Sequence, residues 1–378
     1  MGGLFEGNIK FVMEKVLITI LDSVGPTSMP YNEFVLWRAH HCEGEKQILI
    51  VVGGNGDEQN NLLDSNLDII RVGWNPFHIR TKLLSLLTSF KKTNIPYSIH
   101  LHQLKSATIT QLSMLGTGFR KKTVFTVHST FTGYALHNKI QSFLNGIMAR
   151  YVTCVSDASY NLYPKAIKRI KGDKVLTIRN GVDGDRINAK LAGIVAHKDD
   201  SLVQFIYVAR LIPLKNHMFL MDVIKKASPR ARFVFVGKDG KNDIMNKIKK
   251  EGMGDRVILT GQIPREEVFT MLNNSDAYIS SSTLEGMPIS VLEAMYCKLP
   301  AILSNIPQHK EIGGNDSFVS YLPFEVDKWV EKINEVVNLS HEERELKGQD
   351  SRMYVEKNFS LYAMHQKYNK LYDILRQC

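Results

Sequence analysis

The chain has 378 residues, longer than one hydrophobic core usually serves, so two domains are expected; its 44% hydrophobic and 23% charged residues exclude a fibrous or disordered protein. Its four cysteines, Cys42, Cys154, Cys297 and Cys378, are scattered without a CxxC pair, which argues against a disulfide framework or zinc site and for free thiols in a reducing cytoplasm. The net charge of +10 is concentrated: residues 69–156 hold eleven lysines and arginines and no aspartate or glutamate, so a surface built from them would suit nucleic acid, anionic lipid or phosphorylated small molecules.

In chain order, residues 1–13 lack the basic start of a signal peptide, and Glu6 stands where a myristoylation motif needs Ser or Thr. The longest apolar runs, VLITIL and ILIVV, fall short of the roughly 18 residues of a membrane span. A cytoplasmic protein is expected. Short β-branched or apolar runs at 15–21, 47–52, 97–102, 123–128, 152–156 and 174–178 read as strands. Between them, 76–92 places Ile79, Leu83, Leu86, Leu87 and Phe90 on one helical face, as a crossover helix packed on a sheet would. A helix lying on a membrane is the less favoured reading of the same residues.

The polar stretch 183–201 reads as a linker. A second alternating series follows, with strands at 203–209, 232–236, 256–260, 277–281 and 300–304. The pattern is α/β throughout, with parallel sheets in two domains of similar size. Residues 361–375 form an amphipathic helix that must dock somewhere.

In open α/β sheets, ligands bind beyond the carboxyl ends of the strands. Arg210 directly follows the strand VQFIYVA, and Lys215 comes five residues later, which makes a plausible diphosphate clamp. VGKDG and GQIP are turns after strands that could approach a planar base. The stretch SSTLEGMPISVLEAMYCKLPAI carries Glu285 before a turn and Glu293 on a helix, Ile289–Tyr296, with Pro288 at or near its first position. The helix N-terminus can hold an anion, Glu285 can accept hydrogen bonds from sugar hydroxyls, and Glu293 can reach a ribose diol.

EGMPISVLEAMYCKLPAI resembles the glutamate-x7-glutamate signature of the retaining GT-B glycosyltransferases of family four. ARLIPLKN is similar to that family's Arg and Lys loop, VILTGQIPREEV to its base-binding turn, TIRNGVD to its interdomain segment, TVFTVHST and YVTCVSD to its acceptor-domain strands, and EKNFSLYAMHQKYNKLY to its last helix. Two departures stand out: the first-strand loop has only Gly25 where the family often has Gly-Gly, and Lys298 replaces a common glycine.

The resemblance implies a GT-B fold, two Rossmann-like domains facing across a cleft: an acceptor domain at 1–185, a nucleotide-sugar domain at 186–358, and a helix at 359–378 crossing back onto the first. By position it implies that Arg210 and Lys215 hold the diphosphate, that Glu285 and the backbone of Met287, Pro288, Ile289 and Ser290 hold the sugar and phosphate, that Glu293 binds ribose and Ile263 flanks the base, and that His128 reaches the transferred sugar; Gly25 marks the first-strand loop on the acceptor side. It further implies retaining transfer from a UDP- or GDP-sugar, without cofactor or metal, and DGD at 183–185 reads as part of the linker rather than as a metal motif. A lipid-linked glycan of bacterial capsule, O-antigen or lipopolysaccharide is the expected acceptor, met at the inner membrane face. Anionic lipid should be drawn to Arg80, Lys82, Lys91, Lys92, Arg120, Lys121 and Lys122 by charge alone. The alternatives are a glycosyltransferase acting on nucleic acid and a non-enzymatic nucleic-acid binder, against which stands the absence of interleaved basic and aromatic residues.

Overall fold

A computed structural model describes residues 15–25, 28–53, 66–197, 201–314 and 317–378. The readings of a leader and of myristoylation fall on residues 1–13, outside the described residues. The N-terminal sheet consists of β1 (Lys15–Leu21), β2 (Glu45–Val51), β3 (Leu67–Arg71), β4 (Tyr97–Leu101), β5 (Thr123–Val127), β6 (Tyr151–Cys154) and β7 (Val175–Thr177), in the order β3-β2-β1-β4-β5-β6-β7. The C-terminal sheet consists of β8 (Val203–Val208), β9 (Ala231–Val236), β10 (Val257–Gly261), β11 (Ala277–Ser280), β12 (Ala301–Ser304) and β13 (Val319–Leu322), in the order β10-β9-β8-β11-β12-β13. Every pairing is parallel. The central strands are nearly continuous apolar runs, as burial of both faces requires.

Six helices attend the first sheet: α1 (Trp37–His41), α2 (Pro76–Lys92), α3 (Leu104–Ser113), α4 (Leu136–Met148), α5 (Asp157–Leu162) and α6 (Lys165–Lys171). Eight follow: α7 (Gly184–Leu191), α8 (His217–Lys226), α9 (Asp243–Glu251), α10 (Arg265–Asn273), α11 (Ile289–Tyr296), α12 (Pro307–Lys310), α13 (Val326–Asn338) and α14 (His341–Asn358). The last, α15 (Leu361–Gln377), returns to the N-terminal sheet. There Leu361, Met364, Tyr368, Leu371, Tyr372 and Leu375 join Leu17 and Val124 in one buried cluster, and the Tyr372 hydroxyl lies 2.6 Å from His100 Nδ1. Helix α2 starts where Asn75 accepts hydrogen bonds from the N–H groups of Phe77 and His78, and it buries Ile79, Leu83 and Leu87 on the sheet, so it is a crossover helix.

The stretch read as a linker is helical in its first half. Asp183 accepts a hydrogen bond from the Arg186 N–H at 3.0 Å and caps α7, whose single buried residue, Ile187, is too little periodicity to see in a sequence. Strands β3 and β13, each short and only partly buried, also escape the pattern. Lys298 has φ +63°, the left-handed conformation for which glycine is usual.

Both sheets reverse strand order once, β1 beside β4 in the first and β8 beside β11 in the second. Loops leaving neighbouring strands diverge at such a point and open a crevice. The two crevices face each other.

Candidate active site

Between them lies a cleft of about 700 Å³. The N-terminal domain contributes Asp22, Met29 and Pro30 after β1, His102 and Gln103 after β4, and His128 after β5. The C-terminal domain contributes Arg210 and Lys215 after β8, Arg265 at the start of α10, and Glu285, Met287, Pro288, Ile289, Ser290 and Glu293 around α11. Gly25 and Ile263 do not line it. A Cβ at Gly25 would meet nothing within 4 Å among the described residues, and Ile263 packs against the C-terminal core.

The Lys215 loop is stitched to the strand end it faces. The Tyr207 hydroxyl donates to the Lys215 carbonyl at 3.0 Å, Ser281 Oγ donates to the Lys215 and Asn216 carbonyls, and the Thr283 N–H donates to Leu214 O at 2.9 Å. This brings Lys215 Nζ into an ion pair with Glu285, whose Oε1 also accepts from Ser282 Oγ at 2.6 Å. The sequence reading treated Lys215 and Glu285 as separate phosphate and sugar contacts; the fold makes them one unit. Arg210 is exposed at the mouth.

Helix α11 has Pro288 at its N-cap position. The Ile289 N–H already bonds Met287 O at 3.0 Å and the Val291 N–H bonds Pro288 O at 3.1 Å, so fewer first-turn donors are open than an uncapped helix would offer. Glu293 is 6% exposed and bound by the Arg265 guanidinium, which also lies 2.5 Å from Glu33 of the π-helical segment Pro30–Leu36. Burial pushes the Glu33 carboxyl up to about 7, with Arg265 opposing and Glu293 adding to the shift. Burial also works against the Arg265 charge, but Glu293 and Glu33 outweigh it and hold the guanidinium above its ordinary pKa. Sequence reasoning quoted the PREEV segment yet passed over Arg265, whose only signal is a cation opening a helix after a strand.

His128 Nε2 lies 2.9 Å from His102 Nδ1, and burial pushes the His128 pKa down to about 4. His102 is driven well below its ordinary value by burial and by His100 and His128. Both rings are neutral near pH 7, so one shared proton serves their contact. His128 Nδ1, buried without a partner among the described residues, takes whichever hydrogen-bonding role the tautomer leaves.

Residues 195–352 match the family model described as "Glycosyl transferases group 1". Over 290 residues the chain is 25% identical to the capsular polysaccharide biosynthesis glycosyltransferase CapH of Staphylococcus aureus, covering 71% of this chain and 76% of that one. It is 31% identical over 182 residues to an Escherichia coli UDP-Gal:α-D-GlcNAc-diphosphoundecaprenol α-1,3-galactosyltransferase (43% and 42% of the two chains). It also spans 64% of a phosphatidylinositol N-acetylglucosaminyltransferase component of Arabidopsis thaliana, at 24% identity over 73% of this chain. A glycosyltransferase structure from Rickettsia africae superposes with a TM-score of 0.75 at 19% identity, over 96% of this chain and 98% of that one, and Anabaena HepE, crystallised with UDP and glucose, with 0.71 at 16%, over 94% and 99%. The fold is GT-B, and residues 195–352 carry the group 1 glycosyltransferase match.

In this GT-B fold the cleft walls are clasped together. Gly286 O accepts from Ser156 Oγ at 2.8 Å, and a Cβ on Gly286 would stand 2.1 Å from the His128 carbonyl oxygen. Directly beside this contact, Glu311 accepts from the Asp157 and Ala158 N–H groups that open α5 and pairs with Arg179. Asp183 and Asp185 do not line the cleft but a separate pocket, beside Tyr296 and Trp37.

Proposed function

We propose that this protein is a glycosyltransferase that moves a sugar, with retention of anomeric configuration, from a UDP- or GDP-sugar to a hydroxyl of a lipid-linked glycan in bacterial surface-polysaccharide synthesis. The carrying observation is the charge arrangement of the cleft. Arg210, the Lys215–Glu285 pair and the N-terminus of α11 flank one space, and Arg265 with Glu293 closes one end of it. The polysaccharide context rests on the named activities of the bacterial relatives.

In this reading Arg210, Lys215 and the backbone of Met287 to Ser290 receive the diphosphate, Glu285 holds sugar hydroxyls, and Glu293, aimed by Arg265, binds the ribose diol. The bond from the anomeric carbon to the phosphate oxygen breaks and its electron pair leaves with the diphosphate. The acceptor oxygen attacks from the same face and passes its proton to a phosphate oxygen, so no protein base is needed. Preorganised positive charge on the leaving group supplies the main rate term. His128, neutral, offers a hydrogen bond to the transferred sugar without competing for that charge.

A panel of nucleotide-sugars in a thermal-shift assay, followed by NMR of the product anomer, tests the reading. One UDP- or GDP-sugar should raise Tm and give an α-linked product from an α-linked donor, with activity surviving a chelator because cations already face the phosphates. No stabilisation by any donor, or an inverted product, would remove it.

A further inference from the structure

Helices α2, α3, α4 and α6 form a continuous row on one side of the N-terminal sheet, each packed on the next. Their sequences carry ten lysines and arginines and no aspartate or glutamate; the nearest acid after α6 is Asp173, in the turn that follows. Some of these cations are tethered. Arg80 reaches the Leu115 carbonyl, Lys168 the Tyr160 carbonyl and Lys171 the Ala149 carbonyl. Lys165 and Arg169 are exposed, as are Lys82, Lys91 and Lys92. Of the residues expected to draw lipid, Lys122 is committed elsewhere, donating to Arg376 O at 2.9 Å.

Charge is half of what this layer shows. On α4, Leu136, Ile140, Leu144 and Ile147 are 75%, 54%, 40% and 39% exposed. Their spacing puts them within an arc of about 80°, opposite the buried Ser142, Asn145 and Gly146. Leu112 and Leu115 at the end of α3 and Ile170 on α6 extend the apolar surface to both neighbouring helices. Farther round the same helix, roughly 60° and 120° beyond the stripe, Gln141 and Asn138 line the cleft, so one helix carries both the stripe and part of the site's wall.

We infer that this helical layer is the surface on which the protein lies against an anionic bilayer, with the four α4 side chains entering the acyl boundary and the cations at headgroup level. An aliphatic stripe inside a field of lysine and arginine is the pattern of an interfacial helix. A nucleic acid would use the cations but has nothing for four aligned aliphatic side chains. A second copy about a two-fold axis would set an acid-free surface against itself. The inference deepens the lipid-linked-acceptor reading: the bilayer would present the acceptor beside α4, the helix whose Asn138 and Gln141 line the cleft. It differs from recruitment by charge alone, because binding then requires the stripe.

The test is co-sedimentation of the full chain with phosphatidylglycerol and with phosphatidylcholine vesicles, alongside a duplex DNA arm and a measurement of oligomeric state. Donor hydrolysis without lipid, followed in parallel, reads the proposed chemistry separately. Binding to phosphatidylglycerol is expected, falling as salt rises to about 0.5 M. L136S/I140S/L144S should weaken it about tenfold or more with hydrolysis unchanged, and K165Q/R169Q should weaken it less and flatten the salt dependence. Equal vesicle binding by the wild type and the serine variant overturns the inference. So does failure to bind phosphatidylglycerol, binding to DNA alone, or a dimer that the serine substitutions disperse.

Discussion

At the residue scale the site turns on which buried charges are paired with which. Lys215 with Glu285 is one pair, and Arg265 between Glu33 and Glu293 is a three-member chain spanning both domains. Removing one member of a buried ionic group leaves the others unpaired, at a cost of roughly 3–5 kcal/mol. Arg265→Ala should therefore lower Tm and weaken nucleoside-diphosphate binding together, because Glu293 loses the group that aims it. Adding Glu33→Gln relieves the remaining carboxylate repulsion and should restore part of the Tm but little of the affinity. Calorimetry and melting curves on both variants check this; full recovery of affinity in the double variant would mean that Arg265 does not position Glu293. Glu285→Ala should differ, keeping nucleotide affinity and losing about 10²-fold or more in transfer, since its contacts lie at the sugar end. Equal loss of nucleotide affinity in Glu285→Ala and Glu293→Gln would sink the assignment of opposite ends.

At the element scale, the turn before α11 is a point of close backbone approach between the two domains. Gly286→Ala would set a Cβ 2.1 Å from the His128 carbonyl oxygen, against backbone that cannot swing aside. The β5 end and the α11 turn must then part by about 1 Å or more to regain an ordinary contact. A shift of that size between reacting groups costs about 10²-fold in rate, so kcat should fall while nucleotide affinity, carried by the C-terminal domain, holds. An unchanged kcat would show that the approach seen here is not the reactive one. Gly286 was legible in the sequence only as part of EGMP; that it faces His128, 158 positions earlier, was not. The same division recurs across the molecule. Strands that follow one another as apolar runs, and α2 with its capped start and periodic face, declare themselves locally. Helix α7, with one buried side chain, and Arg265, whose partners come from α11 and from the segment after β1, owe their form to tertiary contacts that no local pattern carries. Strand-end position brings most of the candidate residues to the cleft lining, and Gly25 and Ile263 stand outside it because a loop's neighbours decide which of its residues reach the cleft.

For the whole molecule, buried histidines set the response to acid. His100, His102, His128 and His365 lie in or beside the floor of the cleft around Phe34, and His217 and His309 are buried in the C-terminal domain. Burial is the largest cause of the lowered pKa in each, to about 4 for His128 and His309 and about 3 for His217, from an ordinary 6.5. The unfolded chain therefore takes up protons as pH falls through 6.5 while the native state does not, and the stability these groups contribute is present above 6.5 and lost on the way to about 4. Glu33 acts in the opposite sense: its carboxyl, raised from 4.5 to about 7, is protonated first in the native state, so it adds stability as pH falls through that window. One carboxyl against six imidazoles cannot reverse the sign, and a chain already at +10 gains repulsion with every further proton. Tm should fall steadily from about pH 7.5 to about pH 5 in a buffer series at constant ionic strength, and His309→Gln, which removes one of the six titrations at a residue outside the cleft lining, should make the fall shallower. A Tm that is flat or rises over that range would mean that the histidines are protonated, or solvated, in the native protein.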